Sequence, residues 1–485
     1  MKMHPSHPSR FIKLICLTPG TTALMLALLT SAGCGKVPHT ATTKTKDARI
    51  IAEPFRLVLL PLGGDSALDL KISRAQEKVR TAADPAPALE QLGWLFVAKA
   101  RASFDPGFYK LAEQCSFALE EKKPHAPEAL LLRGHVWQSL HRFKDAEPLA
   151  RELATTRGRA FDYGLLGDVL MEQGRLDEAV EAYQKMADIK PDLHAYTRAA
   201  HVRWLKGDLE GALEMMQLAA HAASPSDAES AAWVYAHLAQ YQFQAGDLAE
   251  SLRDCEAACA FQTNYPPALL VRGKIQLHQG KTADAVTSLA LAAAANPLPE
   301  YQWTLLEALH AAGRPAEAAA VESSLNERGA ANDPRTFAVY SATRGNRIET
   351  ALHLAQAELE TRRDVFTYDA VAWSLAAAGR WDEADANAQR ALAEGTQDAR
   401  LFLHAGIIES QSARPARAGK HLHQAAALSQ MLLPSERARL RDCAGRLGLN
   451  LAPPAAVARK NFSEQRTLFP NEKTENNQTT GVSSL

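Results

Sequence analysis

The chain has 485 residues, 54 basic against 55 acidic side chains, a formal net charge of -1 and a hydrophobic share of 46%. That apolar share excludes a chain disordered throughout, and the balanced charge excludes a nucleic-acid binder working through a broad basic field. Six cysteines over this length exclude a small disulfide-stapled domain.

In chain order the first element is an address label. Lys2, Arg10 and Lys13 precede a mostly apolar stretch, residues 21–29, and Ser31, Ala32 and Gly33 lead into Cys34. This order predicts a secretory signal peptide over residues 1–33. The apolar stretch is short for a membrane span, which needs about 20 residues. Small residues directly before a cysteine resemble the bacterial lipobox, which implies a lipidated Cys34; Ser31 departs from the usual Leu or Val. Ordinary cleavage near Gly33, leaving a soluble periplasmic or secreted protein, is the alternative. Residues 34–50, rich in Thr and Lys, predict a flexible tether. Residues 51–83 predict an N-terminal cap: a short apolar run at 55–62, then a helix over 66–82 with Ser66 and Asp69 placed as a capping box.

From residue 84 the chain repeats. Glycines before a second apolar run fall at Gly174, Gly207, Gly246, Gly280, Gly313, Gly345 and Gly379, in steps of 33, 39, 34, 33, 32 and 34. A small residue follows each turn at Ala146, Ala179, Ala212, Ser251, Ala285, Ala318, Ala351, Ala384 and Ala418. A period near 34 predicts a stack of two-helix units in place of the three domains that length alone suggests. In the unit 160–191, Tyr163, Leu166 and Leu170 recur at helical spacing, as do Ala179, Tyr183 and Met186. Gly174 lies between them as a left-handed stop, Asp177 and Glu178 suit the first turn of the second helix, and Pro191 closes the unit. The pattern resembles the tetratricopeptide repeat in Tyr163, Leu166, Gly167, Ala179, Tyr183 and Pro191. Leu269, Gly273, Ala285, Leu289 and Pro297 fill it well, Tyr368, Ala372, Leu375, Ala384 and Ala388 in part. The fold class expected is therefore all-α: a superhelical solenoid of helical hairpins, about ten repeats over residues 84–432.

Two irregularities interrupt the period. The 39-residue step holds Ala223, Ser224, Pro225, Ser226 and Asp227, and the first unit is extended over residues 101–109. Either could be a functional loop or a neutral insertion. Residues 433–449 predict a solvating terminal helix, the polar end an open stack needs, and residues 450–485 predict a disordered tail.

The motifs of phosphate-binding loops, nucleophile elbows and zincins do not occur. Cys255 and Cys259, four apart on one helix face, read as packing residues, as do Cys115 and Cys443. His404, His421 and His423 read as surface histidines. Acidic residues recur at helix starts, which marks structure, whereas a catalytic pair would be singular. These readings predict no enzyme, no cofactor and no metal.

The resemblance implies a concave face lined by the first helix of each unit. Carried over position by position, that face holds Trp204, Phe243, Trp303, Tyr340 and Trp373, with His135, Asp168, His201, Gln240 and Lys274 between them. Aromatic rings there serve either as binding anchors or as packing between repeats. Of the Lys and Asn that clamp a C-terminal carboxylate in this family, Lys274 alone fits. The function expected is a non-catalytic scaffold or adaptor of the bacterial cell envelope, anchored to the membrane through Cys34 and facing the periplasm. Its groove would grip a peptide or helix of another envelope protein, with no nucleic acid and no small-molecule substrate. A regulatory subunit of a cell-wall or exopolysaccharide enzyme complex is the alternative.

Overall fold

The structure, a computed structural model, describes residues 54–412 and 414–451. The expected signal peptide, Cys34, the tether and nearly all of the tail lie outside the described residues. Between Ala86 and Ala427 the described residues form ten consecutive helix hairpins, from Ala86–Ser103 with Gly107–Lys122 to Ala399–Gln411 with Pro415–Ala427, and no strand.

One device builds the hairpins of repeats three to nine. In repeat three, helix Ala160–Glu172 ends at Gly174 with φ 76°, and Arg175 N donates to Leu170 O at 3.0 Å across the turn. The same bond over five residues recurs at Asp208, Asp247, Lys281, Arg314, Asn346 and Arg380, at 2.9–3.1 Å. All seven turn glycines have φ between 67° and 83°, and His141 takes the corresponding place in repeat two at φ 59°. A left-handed residue followed by this bond satisfies the last carbonyls of the first helix and aims the second back along it. The two helices then meet at the small residue: Ala146, Ala179, Ala212, Ser251, Ala285, Ala318, Ala351, Ala384 and Ala418 are all 0% exposed. The approach is close enough in repeat three that a Cβ on Gly167 would lie 2.3 Å from the Tyr183 ring.

The N-terminal end is covered. Helix Ala67–Thr81 begins with a complete capping box, Asp69 N donating to Ser66 Oγ at 3.2 Å and Ser66 N to Asp69 Oδ2 at 3.3 Å. Gln76 Nε2 holds the carbonyls of Val58 and Leu60, at 2.8 and 2.9 Å, over this helix. Asp69 also pairs with Lys99 of repeat one at 2.7 Å. Ser66→Ala is expected to cost about 1 kcal/mol, read as a lower urea midpoint with the helical signal otherwise unchanged.

The array does not stay open. The first helix of repeat one runs on to Ser103, and its Arg101 pairs with Glu229 of repeat five at 2.7 Å, while Phe104 packs on the repeat-five core. The two sequence irregularities thus touch each other: the extension of repeat one reaches the helix that starts after the inserted loop. Further on, Arg363 N donates to Glu172 O at 3.1 Å, Thr396 Oγ1 donates to Leu205 O, and Gln430 Nε2 donates to Gln244 O at 2.8 Å. The last helix, Pro434–Arg446, exposes Arg441, Asp442 and Arg446 to solvent and turns other polar residues onto the array. Ser435 Oγ donates to Glu307 at 2.6 Å, Arg437 to His278 Nδ1 at 3.1 Å, and Arg439 to the Thr343 carbonyl. Its Glu436 is 1% exposed and pairs with Arg400 at 2.6 Å. Because the winding brings repeats six to eight within reach, Ser435, Arg437 and Arg439 of this helix serve as ties across the winding.

Candidate functional site

Winding the array back on itself directs the first helices of repeats four to ten toward a common interior. A cavity of about 440 Å³ lies there. Its walls include His201 and Trp204 from Leu193–Leu205, His237 and Gln240 from Ala228–Gln244, and Lys274 from Pro266–His278. Glu300, Arg335, Phe366 and Arg400 come from the four following first helices.

Of the ten residues expected on a concave face, the structure brings five to this cavity: His201, Trp204, Gln240, Phe243 and Lys274. The other five lie elsewhere. His135 packs against Trp94, ring centres 5.3 Å apart. Asp168 is occupied by Arg198, at 2.6 and 2.8 Å, and by the Tyr183 hydroxyl at 2.9 Å. Trp303, Tyr340 and Trp373 are buried. Trp303 and Tyr340 meet edge to face at 5.7 Å with Arg400 over the indole at 4.8 Å. Trp373 Nε1 donates to Thr343 Oγ1 at 2.9 Å. Trp204 and Phe243 are buried as well, and Trp204 stacks at 5.5 Å on Phe366, five repeats further along the chain. The rings therefore do not form an exposed row of anchors: they weld neighbouring repeats and successive windings, each burying roughly 1.5–3 kcal/mol of apolar surface. Lys274, the one residue matching a carboxylate clamp, is already neutralised by Glu300 at 2.6 Å.

Two histidines depart from the surface position expected of them. His404 is 1% exposed, bonds Asp369 through Nδ1 at 2.9 Å and stacks on Trp373 at 4.0 Å. His421 is buried and bonds Glu409 at 2.7 Å, while His423 is exposed. Both buried rings sit on helix faces whose partners lie on other helices, so the position of each histidine within its own helix did not reveal them. Cys115, Cys255 and Cys443 are buried free thiols, and burial raises the Cys255 thiol to about 12. Among the described residues no group of three or more His, Cys, Asp or Glu is placed to hold a metal ion.

The interior keeps its charges in pairs. Arg335 meets Asp364 at 2.9 Å. Arg362 joins Asp364, at 3.2 Å, to Glu172 of repeat three, at 2.5 Å. Burial works against the charge on Asp364, but Arg335 and Arg362 outweigh it and hold the carboxyl below its ordinary range. Burial lowers His201 and His237 from 6.5 to about 4, so both are neutral at pH 7. Their stabilising effect is whole above pH 6.5 and is lost as pH falls toward 4. At pH 5.5 each is expected to cost about 1 kcal/mol. Thermal unfolding followed by circular dichroism at pH 7.5 and 5.5 checks this: the His201→Asn, His237→Asn double variant should lose less on acidification than the parent.

A family model described as a tetratricopeptide repeat matches residues 139–194, 165–228 and 270–334. Over those residues the chain resembles the tetratricopeptide repeat. Repeats of this family are typically non-catalytic interaction modules. The repeat array is similar to the crystal structure of the APC/C hetero-tetramer Cut9-Hcn1, at 13% identity and a TM-score of 0.30 over 78% of this chain and 96% of that one. It is also similar to a double mutant, MamA RS-1 ArsTM, at 19% identity and a TM-score of 0.26 over 36% of this chain and 93% of that one. No curated protein matches the chain.

Proposed function

We propose that this tetratricopeptide-repeat protein is a non-catalytic docking scaffold of the bacterial cell envelope. The observation that carries the scaffold reading is the run of ten hairpins, in which an acidic residue opens the second helix of repeats two to nine and the small residue recurs with the period. Repetition of one hairpin spreads contact surface along the array, and no single constellation of reactive side chains stands out from the period. The envelope reading rests on the leader-like order ending in Cys34, whose acylation would hold the chain on a membrane, each buried CH₂ contributing about 0.8 kcal/mol. Among the described residues no helix is long and apolar enough to cross a membrane. The partner in this reading is another envelope protein.

Crosslinking in intact cells followed by purification of the tagged chain tests the scaffold: a stoichiometric envelope protein should come down, and recovery of the chain alone counts against it. Mass measurement of the mature N-terminus tests the anchor. A diacylglycerol adduct on Cys34, lost with retention of the leader in Cys34→Ser, supports it; a soluble chain starting near Gly33 or Cys34 without lipid removes it.

A further inference from the structure

The concave positions of the array are in two states. From repeat four onward the winding has consumed them: Trp204 stacks on Phe366 at 5.5 Å, Lys274 pairs with Glu300 at 2.6 Å, and Trp303, Tyr340 and Trp373 are buried. Repeat one is in the other state. Trp94 follows Gly93 as His135 follows Gly134 and Asp168 follows Gly167, so it holds the same concave position earlier in the array, and it is half-buried. An open pocket of about 380 Å³ lies there, lined by Pro87, Glu90, Gln91, Trp94 and Leu95 of helix Ala86–Ser103. These residues recur three to four apart and so share one face of that helix.

The one charge in this lining is unanswered. Glu90 is half-buried and meets neither a hydrogen-bond donor nor an ion-pair partner among the described residues. The two cations that act on it are committed elsewhere: Lys123 to Asp84 at 3.8 Å, and Arg157 to Asp162 at 3.0 Å and Glu128 at 3.7 Å. Burial, and then the charge of Glu128 on the next first helix, hold the Glu90 carboxyl above its ordinary range against the pull of Arg157 and Lys123. A cation entering the pocket would relieve both effects. Beside Glu90, the Trp94 indole offers a surface that attracts a cation within about 6 Å. Its neighbour His135, ring centres 5.3 Å apart, is lowered by burial to about 4 and adds no positive charge at pH 7.

We propose that this pocket receives a lysine or arginine side chain of a docked partner peptide, its cation against the Trp94 ring and paired with Glu90, its alkyl stem on Pro87 and Leu95. The proposal rests on the scaffold reading and names the chemistry gripped at the open end of the array. Long basic side chains bury their stems on apolar surface while the charged head stays polar, which matches a lining of two apolar side chains, one ring and one carboxylate. An acidic or neutral peptide seated there would desolvate Glu90 further with nothing to pair it, which is unfavourable.

The test uses the full chain purified in detergent and labelled with 5-fluorotryptophan, the Trp94 fluorine signal being assigned by its loss in Trp94→Phe. The probes are blocked pentapeptides of alanine with arginine, lysine, norleucine or glutamate at the centre, titrated into the millimolar range. The arginine and lysine peptides are expected to shift the Trp94 signal saturably, and the norleucine and glutamate peptides to leave it in place. The shift should shrink as sodium chloride rises from about 0.05 to 0.5 M. Glu90→Gln should weaken the basic peptides about three- to fivefold and Glu90→Lys should abolish their effect, both with the helical signal unchanged; if Glu90→Lys fails to fold, Glu90→Gln decides. No Trp94 shift with either basic peptide, an equal shift with norleucine, or undiminished binding by Glu90→Gln overturns the proposal. Partner capture by crosslinking needs none of these peptides, so capture that persists in Glu90→Lys would remove this site and leave the scaffold reading standing.

Discussion

Gly207→Ala is expected to cost far more stability than Gly280→Ala, although both glycines hold the same turn. The two residues have φ of 82° and 75°, so alanine pays the same left-handed penalty at each, about 1–2 kcal/mol. At Gly280 nothing lies within 4 Å of an added Cβ, and the loss stops there. At Gly207 the added Cβ would lie 2.4 Å from the carbonyl oxygen of Gly395, which belongs to the turn before repeat ten. That contact is with backbone, so it cannot be relieved by a side-chain rotation. Relief requires moving the loop that carries the Thr396 hydrogen bond to Leu205. Overpacking of this kind adds about 1–3 kcal/mol, giving roughly 2–5 kcal/mol in total for Gly207→Ala. Urea titration of both variants checks the difference, and equal losses would show that the meeting of windings contributes nothing. Gly174, with Arg363 O at the same 2.4 Å, provides a second copy of the experiment.

Asp364→Ala should destabilise by about 3–5 kcal/mol. Its carboxylate caps helix Val365–Ala377 through Thr367 N at 2.8 Å and receives Arg335 and Arg362. Removing it takes away the carboxylate that both largely buried guanidinium groups contact directly and leaves Arg335 without an ion-pair partner within 4 Å. Glu172 is itself held above its ordinary range by burial, against the pull of Arg362. The folded pKa of Asp364 lies below the ordinary value of 3.8, so its contribution is present above about pH 4 and is lost as pH falls through the folded value. The parent and the variant should therefore converge in stability below pH 4 and diverge above it. A constant gap across pH 3–7 in thermal unfolding would refute the electrostatic part of this account.

The period of the fold was legible because each hairpin solves one local problem with the same residues. Gly174 and its six counterparts, and Ala179 and its counterparts, must be what they are for reasons contained within about 34 residues. The winding was not legible for the opposite reason. Glu172 meets Arg362 and Gln244 meets Gln430 across separations that no periodicity encodes, and Gly207 and Gly280 look alike until the returning backbone is placed. The same gap explains the rings. Trp204 sits at a position where an open array would present it to a partner, and only the return of Phe366 makes it internal. His404 and His421 were missed because Asp369 and Glu409 lie on other helix faces. The signal available was the interruption of the period itself: the long first helix and the five-residue insertion 223–227, read separately, flank the Arg101–Glu229 contact.

That winding also fixes the copy number of the units. An open solenoid can gain or lose one hairpin anywhere and keep every neighbour contact. Here, deleting one hairpin between Glu172 and Arg362 would shift the register of every later loop by about 34 residues. Thr396 would no longer reach Leu205, nor Gln430 the carbonyl of Gln244. A chain of this kind can drift in the sequence of its bricks, but not in how many it has.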